Sequence, residues 1–234
     1  MYPHRIRLRG PWECEILESA TLRDPAAPTR ARLAMPCRWQ DTVFRGLAGR
    51  VRCGRYFGYP GRIDAEERVW LTFAGADASA DAWLNGRLLG RQEEADRPFE
   101  FEVTPLLQRR NLLTIEVRSP SDTGGLWGEV ALEIRRSAFL RAVQASVAGA
   151  GESPSLHVTG EVVGTCERAL ELYVLVEGRT ISYTTVEASP NGKRFEVRAE
   201  CPKGTPELAA RVDLVDGAVI WYSSEMLAAP SRDR

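Results

Sequence analysis

Lysine is almost missing from this chain of 234 residues: Lys193 and Lys203 are the only two, and the remaining basic residues are arginines. Charge of one sign is missing too. Thirty-one Lys and Arg stand against 32 Asp and Glu, a net charge of −1, which leaves no electrostatic footprint for nucleic acid. The arginine surplus reads as compositional bias, because Arg30, Arg32 and Arg38 alternate with apolar positions as solvated strand or loop faces do. Cysteine is sparse and odd in number: Cys14, Cys37, Cys53, Cys166 and Cys201 include no Cys-x-x-Cys pair, and only His4 and His157 accompany them. That excludes a zinc site and a disulfide framework as sequence expectations and predicts reduced core cysteines. Long apolar runs are missing as well. No segment approaches the roughly 18 to 20 apolar residues of a membrane span, and Arg5, Arg7 and Arg9 occupy the N-terminal region where a secretion signal needs an apolar stretch. The expectation is a cytoplasmic protein with no membrane or nucleic-acid partner.

What is present is period-two patterning. Val69, Leu71 and Phe73 alternate with Trp70 and Thr72. Trp83-Leu84 faces Leu88-Leu89 across Asn85-Gly86, the dipeptide suited to the two positive-φ residues of a type I′ hairpin turn. Phe99, Phe101 and Val103 then take one side and Glu100, Glu102 and Thr104 the other, and Leu113, Ile115 and Val117 repeat the pattern. The stretch 68–117 is therefore a run of antiparallel strands with one buried face. Its core is expected to draw on Trp70, Phe73, Trp83, Leu84, Phe99, Phe101, Leu113 and Ile115.

These residues resemble the N-terminal sugar-binding domain of glycoside hydrolase family 2, the family of β-galactosidases, β-glucuronidases and β-mannosidases. The similarity rests on Leu8-Arg9-Gly10-Pro11-Trp12-Glu13, Met35-Pro36-Cys37-Arg38-Trp39, Arg55-Tyr56-Phe57-Gly58-Tyr59-Pro60, the Trp83-Leu84-Asn85-Gly86 hairpin, Pro98-Phe99-Glu100-Phe101, and the closing Gly125-Leu126-Trp127-Gly128-Glu129-Val130. Two departures stand out: Gly128 occupies a position where arginine is common, and Cys53 one where tyrosine is common. The resemblance implies a galactose-binding-like jelly roll over residues 1–136. Enzymes of the family set two catalytic carboxylates on a (β/α)₈ barrel, which needs roughly 250 residues of its own. No alternation of strands with long amphipathic helices follows Val130, so the chain is expected to be noncatalytic and not an enzyme.

The second half, 137–234, reads as an immunoglobulin-like β-sandwich. Seven short alternating runs, at 140–147, 156–163, 169–176, 180–186, 194–199, 208–215 and 218–226, have the number and spacing of such a domain. Turn signals separate them at 149–151, Glu177-Gly178, Pro190-Asn191-Gly192, 203–204 and Asp216-Gly217. The fold class is all-β, two β-sandwiches, a jelly roll followed by an immunoglobulin-like domain.

Candidate site residues follow from exposure and from the resemblance. Trp39, Tyr56, Tyr59 and Trp127 can each offer an aromatic face to cover the apolar C–H face of a sugar, and Trp39, Tyr59 and Trp127 stand beside prolines and glycines where loop exposure is expected. Asp122 lies in the loop that the resemblance brings toward bound sugar. The strand faces are expected to be committed to packing, leaving loops to carry function. Glu93, Glu94 and Asp96 read as a solvated turn, Ser153 with His157 has no nucleophile elbow, and Asp77, Asp81, Glu100 and Glu102 have no calcium-loop spacing. No metal or cofactor is expected. The function classes are a noncatalytic carbohydrate-binding module, a scaffold or protein-interaction module, and the noncatalytic subunit of a split hydrolase whose partner supplies the barrel.

Overall fold

The structure, a computed structural model, describes residues 3–21, 28–77, 79–95, 97–121, 123–148, 155–200 and 208–230. The chain is all-β, nineteen strands with two single 3₁₀ turns among the described residues. It divides into two compact units: Arg5–Asp64 with Arg68–Ile134, and Arg135–Arg234 with Met1–His4 and Ala65–Glu67.

The strands of the first half are β1 (His4–Arg7), β2 (Trp12–Thr21), β3 (Arg30–Leu33), β4 (Cys37–Arg38), β5 (Ala48–Gly58), β6 (Glu67–Phe73), β7 (Ser79–Leu84), β8 (Arg87–Gln92), β9 (Phe99–Glu102), β10 (Arg110–Ser119), β11 (Gly125–Leu126) and β12 (Val130–Arg136). They form a four-stranded sheet in the order β1-β12-β6-β9, a six-stranded sheet in the order β3-β2-β5-β10-β7-β8, and a short β11-β4 pair. Alternation dictates the core. Val69, Leu71 and Phe73 of β6 are buried, as are Leu113, Ile115 and Val117 of β10 and Ala80, Ala82 and Leu84 of β7. The Asn85-Gly86 turn has φ of 53° and 82°, the geometry expected of a type I′ hairpin between β7 and β8. Asn85 also ties the hairpin to its neighbours: its amide nitrogen donates to the Leu106 carbonyl and to Asn111 Oδ1, and its Oδ1 accepts from the Leu112 N–H.

The expected core needs adjustment. Trp12 is fully buried, whereas Trp70, Trp83, Phe99 and Phe101 are only partly so. Trp70 and Trp83 have the parity of the outer faces: Trp70 pairs with Glu102 and Trp83 with Thr114. Phe99 stacks on Phe73 with centroids 4.5 Å apart, and Phe101 meets both edge-on. The reduced-cysteine expectation is overturned for one pair. Cys14 on β2 and Cys53 on β5 are direct cross-strand partners and form a disulfide. A sequence separation of 39 residues hid this, because register rather than spacing brings them together. Cys37 and Cys166 are free; Cys201 lies outside the described residues.

The second half contains β13 (Ala138–Ala148), β14 (Ser155–Gly164), β15 (Leu170–Val176), β16 (Arg179–Val186), β17 (Lys193–Glu200), β18 (Leu208–Asp216) and β19 (Val219–Pro230). Each coincides with one of the seven runs read from the sequence. The strand order is β16-β15-β18-β19-β13-β14-β17, antiparallel apart from the β13–β19 pair. Leu156, Val158, Leu172, Val174, Val212 and Leu214 lie in one buried cluster to which every strand but β16 contributes, and β16 packs the partly buried Ile181 and Val186 against it, giving a sandwich with its own core. The Glu177-Gly178 and Asp216-Gly217 turns join hairpins, while the turns expected at 149–151 and 203–204 lie outside the described residues.

Candidate functional site

Four residues were expected in a loop site, and the structure places them differently. Trp39 is 2% exposed, so the expected exposure is corrected: its ring packs so tightly on Gly124 that a Cβ there would lie 2.4 Å from it. The cause is the β11–β4 pair, in which Trp39 N–H donates to the Gly124 carbonyl and draws the tryptophan under the loop. Trp127 follows β11 and sits partly buried against Gly75, with the Arg38 guanidinium 5.2 Å from its ring centroid. Tyr59 is 46% exposed and is held by a different segment, its N–H donating to the Arg109 carbonyl. Asp122 lies outside the described residues. The loop around it is anchored by Asp77, whose carboxylate accepts from Ser119 Oγ at 3.3 Å and Thr123 Oγ1 at 3.2 Å.

The other candidates resolve into surface pairs. Glu94 pairs with Arg97 at 2.7 Å and Asp81 with Arg91 at 2.6 Å, while Asp96 and Ser153 lie outside the described residues. His157 Nε2 sits 3.0 Å from Glu196, far from any elbow geometry because both belong to the paired strands β14 and β17. Among the described residues no group of three or more His, Cys, Asp and Glu side chains is placed to hold a metal ion.

An open concavity lies elsewhere, on the solvent face of the six-stranded sheet. Residues that alternate with the core form three cross-strand rows there. One row runs Arg30–Glu15–Arg52–Glu116–Asp81–Arg91 across all six strands. It is laced by ion pairs: Arg30 to Glu15 at 2.7 Å, Arg52 to Glu116 at 2.7 Å and Arg91 to Asp81 at 2.6 Å. Hydrogen bonds and charge from Glu15 and Asp81 raise the pKa of Arg30 and Arg91 respectively, so these guanidiniums stay charged. The next row runs Arg32–Glu13–Gly54–Thr114–Trp83–Leu88. In the third, Tyr56 on β5 pairs with Leu112 on β10.

The middle row is low where the other two are high. Gly54 has no side chain and Thr114 a short one, so an open trough of about 950 Å³ forms between the ion-paired row and the Tyr56–Leu112 wall. Tyr56 is 58% exposed, and the Arg110 guanidinium lies 4.6 Å from its ring centroid, fixing the ring's position. Leu88 is 57% exposed at the far end of the row, beside the partly buried Trp83. Chemically, the trough offers one aromatic and apolar wall and one wall of charged groups with hydrogen-bonding capacity left over, since each guanidinium carries five donors. The floor is strapped from behind by the Cys14–Cys53 bridge, which lies on the buried side of the two strands that supply Glu13, Glu15, Arg52 and Gly54. The expectation that strand faces are committed to packing fails here because only one face of this sheet meets the core. The signal was present in the sequence: Glu13-x-Glu15, Arg30-x-Arg32 and Arg52-x-Gly54-x-Tyr56 are the alternate positions to the apolar ones.

The galactose-binding domain-like family of glycosyl hydrolase 2 matches the stretch from Gly54 on β5 to Ala131 on β12. Residues 54–131 belong to that family. A β-galactosidase of Priestia megaterium is 26% identical over 126 residues, 53% of this chain and 10% of its own length. The β-galactosidase large subunit of Lactobacillus helveticus is 35% identical over 77 residues, 32% of this chain and 12% of its own. The β-glucuronidase of Bifidobacterium dentium, solved with coumarin-3-O-glucuronide, superposes with a TM-score of 0.73 at 21% identity over 98% of this chain and 49% of its own, which shows a shared fold. The chain thus spans about half the length of that enzyme and a small fraction of the curated relatives. The glycosyl hydrolase 2 stretch includes the Gly54, Tyr56, Leu112 and Thr114 side of the trough, whereas Glu13, Glu15, Arg30 and Arg32 precede it.

Proposed function

We propose that this chain is a noncatalytic carbohydrate-recognition part of a glycoside-hydrolase-type protein, with the sugar held in the trough of the six-stranded sheet. The single observation that carries this is the pairing, across a floor of Gly54 and Thr114, of an aromatic and apolar wall with an ion-paired wall. A pyranose has the same two-sided chemistry: C–H groups that aromatic surface covers, and hydroxyls that carboxylates and guanidiniums bond. The described strands contain no (β/α)₈ unit to carry a carboxylate pair, so hydrolysis is assigned to a barrel lying in another segment or another chain.

A glycan panel of galactosides, glucuronides, mannosides and plant polysaccharides, read by NMR and calorimetry at millimolar ligand, tests the proposal. The expected result is weak binding, about −4 kcal/mol, weakened by Tyr56→Ala and untouched by Trp127→Ala. Binding lost in Trp127→Ala and kept in Tyr56→Ala moves the sugar to the loop of Trp127, Asp122 and Tyr59. No binding across the panel contradicts carbohydrate recognition.

A second reading is favoured by the large-subunit relative from Lactobacillus helveticus. On that reading the chain acts as a noncatalytic subunit that docks with a protein partner supplying the barrel. Its test is size-exclusion chromatography of the natural protein from its own cells, where a complex with a barrel-bearing chain supports it and a lone 234-residue species contradicts it.

A further inference from the structure

We propose that the trough takes the interior of an extended glycan chain, laid across the strands, rather than a single terminal sugar; this rests on the carbohydrate reading above. The trough does not end at Gly54 and Thr114. Its lining reaches Glu13 and Arg32 on one side, and on the other its row continues in register, beyond the lining, to Trp83 and Leu88. From β3 to β10 the lining crosses three strand spacings, about 14 Å at 4.8 Å each, longer than one pyranose ring. The side chains of Arg32 and Glu13 are about three-quarters exposed, and Leu88 is more than half exposed, so a chain entering at one end can leave at the other.

The walls also favour an extended glycan over a compact one. The ion-paired row runs the whole width of the sheet, and Arg30, Glu15 and Arg52 line the trough on the successive strands β3, β2 and β5, offering hydroxyl partners at each. On the opposite side Tyr56 and Leu112 cover one position, and Trp83, in the row of Gly54 and Thr114, offers a second apolar contact further along. Repeated polar contacts on one edge and spaced apolar contacts on the other match a ribbon-like chain with equatorial linkages, the β-1,4-gluco, manno and xylo type. Each ring then places its hydroxyl edge against the charged row. A terminal monosaccharide uses only one of these positions and gains little after the cost of association.

The experiment is calorimetry on the full chain with β-1,4 oligosaccharides of gluco, manno and xylo type, from the monosaccharide to the hexasaccharide. The expected result is that for one of these series Kd falls by about tenfold or more between the disaccharide and the tetrasaccharide and then levels off as the trough fills. Trp83→Ala, checked for native circular dichroism, is expected to weaken the hexasaccharide by about tenfold while leaving the disaccharide at wild-type affinity, because Trp83 lies at the end of the row. If Trp83→Ala does not fold, the length series on the wild-type chain decides alone. Equal affinity for monosaccharide and hexasaccharide overturns the interior-chain inference and leaves carbohydrate recognition standing. No binding at any length overturns both.

Discussion

At the scale of single residues, Gly128 and Cys53, the two positions read as departures from the family pattern, each meet a specific neighbour. A Cβ at Gly128 would lie 2.1 Å from the backbone nitrogen of Gly75, so loop backbone packs directly on loop backbone there. Gly128→Arg is expected to lose more than about 2 kcal/mol in a denaturant melt, since backbone has no room to yield; an unchanged midpoint contradicts the tight packing. Cys53 joins Cys14. Cys37 behaves differently from both. Burial first, and then the charge of Asp41, push its thiol up to about 11. The reactive thiolate is therefore scarce at pH 8, and alkylation of native protein at that pH is expected to leave Cys37 unmodified until denaturant is added; rapid labelling in the native state contradicts it. Side-chain exposure was the least legible quantity in the sequence. Trp39 and Tyr59 both stand near prolines, yet one is sealed under Gly124 and the other half exposed, because the β11–β4 pairing that decides it joins residues about 87 positions apart.

At the scale of elements, the strands were readable because alternation and turn chemistry agree. All seven runs of the second half became strands, and Asn85-Gly86 made its turn. Cross-strand register was not readable, and the disulfide and the trough both depend on it. The Cys14–Cys53 bridge closes a loop of 39 residues, for which chain-entropy reasoning gives about 4 kcal/mol of stabilisation. Reduction, or Cys14→Ala with Cys53→Ala, is expected to lower the denaturation midpoint accordingly, with β2 and β3 the first to exchange amide protons. Disulfides persist outside the reducing cytosol, so the bridge and the expected cytoplasmic location conflict. Free-thiol titration of the protein from its own cells separates them: two fewer thiols than the five cysteines supports the bridge. In the second unit, Glu196 is held below a glutamate's ordinary value by hydrogen bonds from Arg198 and His157, and Glu187 by Lys193. A depressed folded pKa contributes stability above about pH 4.5 and loses it as pH falls through the folded value. Both side chains are exposed, so the expected effect is a shallow fall in melting temperature below pH 4.5, flattened by salt and by Arg198→Ala.

At the scale of the whole molecule, the all-β fold was legible from alternation and turn signals and the glycosyl hydrolase 2 character of the first half from motif order, while the trough was not. It emerges only when Glu13, Gly54 and Thr114, from three separate strands, are set side by side. The isolated chain is expected to release no product from chromogenic galactosides, glucuronides or mannosides, and turnover abolished by one Asp or Glu substitution in the purified chain contradicts the proposed noncatalytic role. The most direct test of carbohydrate recognition in the trough is Gly54→Leu. Gly54 does not have a positive φ, and a Cβ there meets only Glu13 O and Leu112 Cδ1, both at 3.9 Å, so a leucine fits the strand while filling the floor. In calorimetry against the best glycan of the panel, Gly54→Leu is predicted to weaken binding at least tenfold, about 1.4 kcal/mol, at an unchanged or higher melting temperature. Wild-type affinity in a folded Gly54→Leu protein contradicts a sugar site in the trough.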